Sequence, residues 1–282
     1  MKQQLKRAAW GITKGALSGS HTFASEGFTG ALVASATRGR MVNTATEIGG
    51  VSVALLIERI GSGMLTAIDF AISQFATDAA VRADVTRIVR RGLDERALER
   101  QLVRDVAWRS AARGAISGIP AVIPGAGTMV ELGVAVADSL ALTVAEARMV
   151  LALAHLRGLD LQAVELRRLD ILLVLGLAAE AAVIEGDVIR AGGVDISLEM
   201  LRSGALPPEV AVTLGTAVGT DIIRTVARRR TGGLLIRLLP GGISVVAAAW
   251  FDWRATGNVG KHAVQYFDLV APARELVGST RS

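Results

Sequence analysis

Ala115-Ile-Ser-Gly-Ile-Pro-Ala-Val-Ile-Pro-Gly-Ala-Gly-Thr-Met-Val130 is the longest stretch of this chain without a charged side chain. Pro120 and Pro124 cannot sit inside a continuous helix, because proline removes an amide donor and clashes with the preceding turn. Gly118, Gly125 and Gly127 add three more flexible points. The run is therefore apolar but broken, and falls short of the roughly 18 apolar residues of a bilayer-spanning helix. The second long uncharged run, Leu238–Phe251, repeats the design and carries Pro240-Gly241-Gly242 near its start.

Working outward, Thr128–Leu156 reads as a long helix. At 100° per residue, Glu131, Asp138 and Glu146 fall in one narrow arc, and Arg148 and His155 lie on roughly the opposite side. Aliphatic residues cover most of the rest, so this helix has to be buried in protein or lipid. The three carboxylates are the candidate buried polar residues, since such groups need partners or water. Gly158 suits a C-cap, and Asp160 the start of a second helix over Leu161–Gly186. Pro207-Pro208-Glu209 opens a further helix, with Ala211, Gly215 and Gly219 on a small-residue face. Arg228-Arg229-Arg230 suits its end and Gly232-Gly233 a break. A last hairpin then covers Leu234–Trp253 and about Thr256–Leu269.

Upstream, 46–80 reads as helical segments broken near Gly61-Ser62-Gly63. Residues 82–113 interleave nine arginines with acidic residues at helical spacing, as in a solvated face. No alternation marks strands. The expectation is an all-α fold, a multi-helix bundle of antiparallel apolar hairpins. It divides into a helical extension (1–81), a main helical domain (82–270) and a flexible tail (271–282).

Composition narrows the function. The 282 residues are 51% hydrophobic and only 4% aromatic, with a mean hydropathy of +0.45. The absence of cysteine excludes disulfides and thiolate metal sites. The net charge of +5 comes mostly from arginine, which favours an anionic membrane surface over nucleic acid in so apolar a chain. Arg82, Arg87, Arg90 and Arg91, with Arg228, Arg229 and Arg230, are the lipid-headgroup candidates. Gly257-Asn-Val-Gly260-Lys261 is no P-loop, because Ala255 takes the first glycine position and His262 follows the lysine. His21, His155 and His262 lack metal-ligand spacing. No catalytic, cofactor or metal residue is expected.

Leu93–Leu175 resembles the EcsC family of bacterial proteins. The likeness rests on an Arg-rich helix running into Ala111-Ala-Arg-Gly-Ala-Ile-Ser-Gly118. A Pro/Gly turn follows, then an apolar helix with Ala137-Asp138 and Arg148-Met-Val-Leu-Ala-Leu-Ala-His-Leu-Arg-Gly-Leu-Asp160. Leu239–Trp250, then Val259-Gly-Lys-His-Ala263 and Phe267, are similar to the family's closing hairpin. Arg157 departs from the pattern, since the family usually has tyrosine before that glycine. The resemblance implies a helical protein without catalytic residues, accessory to a transporter. The expectation is thus a non-enzymatic bacterial protein, cytoplasmic and peripheral to the inner membrane, whose partners are membrane lipids or a membrane protein. The rivals are a conditionally inserting pore or transport component and a soluble interaction scaffold.

Overall fold

The computed structural model describes residues 53–117, 128–203, 206–237 and 243–279. Among them seven helices form the body: α1 (Val53–Val89), α2 (Glu95–Ser117), α3 (Thr128–Leu156), α4 (Val164–Ala178), α5 (Leu198–Ser203), α6 (Pro208–Arg237) and α7 (Ile243–Ser279). One small antiparallel sheet, β1 (Ala182–Glu185), β2 (Val188–Ala191) and β3 (Val194–Ser197), lies between α4 and α5. The fold is predominantly all-α.

The chief helix pairs are not successive in the chain. α1 packs chiefly on α3, α2 on α7, and α4 on α6. Side-chain partners give the directions. Asp78 meets Arg148 and Asp84 meets His155, so α1 and α3 run parallel. Arg96 meets Asp268, and Gly260 lies against Val103, so α2 and α7 run antiparallel. Leu172 faces Gly215 and Gly219 while Gly176 faces Ile222, so α4 and α6 run parallel. Parallel neighbours need an intervening element to bring the chain back. The interior is one aliphatic core with contributions from every long helix, Leu151, Leu153, Leu169, Ile171, Leu172 and Phe267 among its most buried members.

Several sequence expectations are corrected. α1 passes through Gly61-Ser62-Gly63 unbroken. These glycines admit close neighbours instead: a Cβ on Gly61 would lie 3.0 Å from Ile223, and one on Gly63 3.0 Å from Leu140. α6 continues through Gly232-Gly233 to Arg237, and α7 is a single helix where a hairpin was expected. The helix expected over 161–186 starts at Val164, with Asp160 accepting from the Gln162 amide, and stops at Ala178. Beyond it the chain forms the sheet, with Ile184 across from Ile189 and Ile189 across from Ile196. Two-residue turns at Gly186-Asp187 and Gly192-Gly193 join its strands, and three of these residues have positive φ (Gly186, Gly192 and Gly193). The expected boundary after residue 81 falls within α1, whose Ala79 and Ala83 enter the same core. α7 continues past residue 271 to Ser279.

Gly158 does cap α3. With φ of +70°, its amide donates to the His155 carbonyl and the Leu159 amide to that of Ala154, the Schellman arrangement. The turn hands Arg157 to a network linking three segments: it donates to Glu99 on α2 and, at 2.7 Å, to Asp268 on α7. Arg96 reaches the other oxygen of Asp268 at 2.6 Å. Burial acts to lower the Arg157 pKa, but the two carboxylates outweigh it and the net shift is upward. Glu99 is 1% exposed, so Arg157→Met strands a buried carboxylate. The expected loss is about 1–2 kcal/mol, read from urea unfolding, because Arg96 remains nearby.

Candidate functional site

The cationic candidates separate in space. Arg82 is half-buried on α1 beside Arg109 and Arg148. Burial and these two like charges lower its pKa, with Asp78 opposing them. Arg148 is itself held by Asp78 and stacks 4.1 Å from the Phe75 ring centre. Arg87 bridges Asp84 and the Leu156 carbonyl. Arg90 and Arg91 are exposed on the turn between α1 and α2. Arg228 is exposed on α6, far along the bundle, while the side chains of Arg229 and Arg230 lie outside those described. These arginines therefore do not form one patch.

Of the acidic arc, Glu146 is fully buried; the side chains of Glu131 and Asp138 lie outside those described. The polar centre of the interior is elsewhere, in a group that sequence reading passed over. Arg167, Asp170 and Tyr266 are each at most 2% exposed. Arg167 lies 2.6 Å from Asp170, and Tyr266 donates to the other Asp170 oxygen at 2.5 Å. The set ties α4 to α7 in the apolar interior and is structural.

His155, which lies 3.1 Å from Asp84, borders an open cleft of about 410 Å³. Ala76, Ala80, Leu159 and Leu161 supply its apolar lining, and Thr77, Asp160 and Gln162 its remaining polar side chains. Among the described residues no three His, Asp or Glu side chains have metal-ligand placement.

The feature with clearest chemical character is a set of exposed tryptophan and arginine side chains on α2 and α7. Trp108 on α2 is 49% exposed, and Trp250 and Trp253 on α7 are 53% and 44% exposed. Val246, Trp250 and Trp253 recur at i, i+4 and i+7 and so share one face of α7. Arg254 lies 5.5 Å from the Trp250 ring centre, a cation–π contact, and Arg109 and Arg113 are exposed on α2. Because α2 and α7 run antiparallel with Val103 opposite Gly260, Trp253 is roughly level with Ser110, two residues from Trp108. The structure places Trp108 on α2 and Trp250 and Trp253 on α7 at a similar level of two paired helices.

Two helical windows are long and apolar enough to cross a membrane, Ser139–Leu156 and Pro208–Arg228. The first is 72% buried within the protein, as suits the core helix of a bundle; the second is 44% buried. No family model matches the chain, and no curated protein or solved structure is significantly similar to it.

Proposed function

We propose that this is a non-enzymatic, membrane-peripheral helical protein that works through contacts with lipids or a membrane protein, in the manner expected of an EcsC-like protein accessory to a transporter. The observation that carries the reading is the exposure of Trp108 with Arg109 and Arg113 on α2, and of Trp250 and Trp253 with Arg254 on α7. Burying three indoles in the core would be favourable, and leaving three on the surface of a bundle needs a partner that rewards them. A bilayer interface does so: the indole ring suits the headgroup level and the guanidinium pairs with phosphate. The high mean hydropathy supports the same reading, and the location proposed is the cytoplasmic face of the inner membrane.

The test is flotation of the purified protein with neutral and anionic liposomes at low and high salt. Binding is expected to favour phosphatidylglycerol vesicles over phosphatidylcholine alone and to weaken as salt rises. Equal recovery in the unbound fraction with both vesicle types would sink the reading and favour the soluble scaffold.

A further inference from the structure

We infer that Arg82, Arg109 and Arg148, one from each of α1, α2 and α3, form a binding site for a phosphate monoester or inorganic phosphate dianion. The site does not rest on the membrane reading, because a soluble phosphate fills it as well as a lipid headgroup does.

The helix registers bring the three arginines together. Arg148 is held by Asp78 and stacks 4.1 Å from the Phe75 ring centre. Arg82 follows Asp78 by one turn on the same helix. Arg113 donates to the Ala141 carbonyl at 3.4 Å and Arg157 donates to Glu99, so α2 runs antiparallel to α3. Arg109 then stands about level with Glu146, within one turn of Arg148. α1 and α2 both pack on α3 and scarcely touch each other. Ala141, Ala145 and Arg148, at i, i+4 and i+7 on α3, stay partly exposed between them. The trio therefore borders a groove whose floor is α3.

Arg82 carries the assignment. It is half-buried, and a guanidinium brings five N–H donors that need acceptors. Among the described residues it makes no side-chain hydrogen bond and no ion pair. Every other part-buried arginine among those residues is held: Arg148, Arg157, Arg167 and Arg168 by carboxylates, and Arg202 by the Leu269 carbonyl. Burial, then the like charges of Arg109 and Arg148, act against the charged form of Arg82, and Asp78 does not overcome them. Such a cluster costs stability when empty and is relieved by an anion.

The charge selects the anion. Asp105, one turn before Arg109, accepts from Gln101 at 2.8 Å, and Asp84 is shared by Arg87 and His155. Asp78 offsets one of the three cations, which leaves two positive charges. A phosphate monoester carries about −1.5 to −2 near neutral pH and offers three acceptor oxygens, which planar guanidinium forks suit. A carboxylate or phosphodiester, with a single negative charge, leaves one guanidinium uncompensated.

The first arm of the test is thermal unfolding of the full chain in about 10 mM sodium phosphate, against sodium chloride of equal ionic strength. Phosphate is expected to raise the midpoint by about 3 °C. Arg82→Gln and Arg109→Gln are each expected to match or exceed wild type in chloride, because a repulsion is removed, and to lose the phosphate increment. Arg100→Gln, exposed on the opposite face of α2, is expected to keep it. The second arm is flotation with phosphatidylcholine vesicles carrying phosphatidic acid or, at equal surface charge, phosphatidylglycerol. A preference for phosphatidic acid that Arg82→Gln abolishes makes the occupant a lipid headgroup. An increment without that preference makes it a soluble phosphate. Absence of both the increment and the preference, or their survival in both variants, would overturn the site. Equal flotation on the two vesicle types with no increment overturns it and leaves the membrane reading standing. An increment without any flotation keeps the site and sinks that reading.

Discussion

Asp170→Ala is expected to remove about 3–5 kcal/mol of folding stability, the cost of leaving a buried charge without its counter-ion. Arg167 is 2% exposed, so water cannot replace the lost carboxylate without opening the core. The Tyr266 hydroxyl loses its 2.5 Å acceptor in the same step. A marginally stable domain has only about 5–15 kcal/mol in total, so the variant should unfold at much lower urea when followed by circular dichroism. Arg167→Met with Asp170→Leu is expected to fall far closer to wild type, because replacing both partners of a buried pair is often nearly neutral. A single Asp170→Ala variant as stable as wild type would show the pair to be dispensable.

Gly260→Ala is the second large effect. A Cβ at this position would lie 2.3 and 2.7 Å from the two methyls of Val103 and 3.1 Å from its Cβ. Val103 is short and stiff at χ1, so it cannot swing away. The helices would have to separate where α2 and α7 pack most closely. The expected loss is about 2–3 kcal/mol, despite the better helix propensity of alanine. Val103→Ala in the same chain should recover most of it. A double-mutant cycle measured by urea unfolding checks both statements, and additivity of the two changes would refute the contact as the cause.

The legible part of the fold was local. Helix identity followed from apolar periodicity, the end of α3 from Gly158, and the start of α6 from Pro208. What was not legible was which helix packs on which. Gly61, Gly63 and Gly260 look like breaks or phosphate-loop remnants in one dimension, yet in three they mark where Ile223, Leu140 and Val103 approach. The sheet had a visible signal, Gly186-Asp187 and Gly192-Gly193 between runs of Val and Ile. The strands are only four residues each, and an apolar helix leads directly into them, so the helical period was carried too far. The exposed tryptophans were hidden for a related reason: that Trp108 and Trp253 lie at a similar level follows only once α2 and α7 are paired. Arg167 and Asp170 resemble an ordinary surface pair at i, i+3, and only burial by α7 gives them their weight.

The pairing of α2 with α7 has a consequence for synthesis on the ribosome. α2 leaves the exit tunnel some 150 residues before the helix that covers it, and α1 likewise precedes α3 across the whole of α2. Translation at about 5–20 residues per second leaves the apolar side of α2 uncovered for many seconds. Through that interval the nascent chain needs a temporary cover, from a chaperone or a nearby lipid surface, and truncations lacking α7 should be cleared by proteases and not accumulate as a folded half.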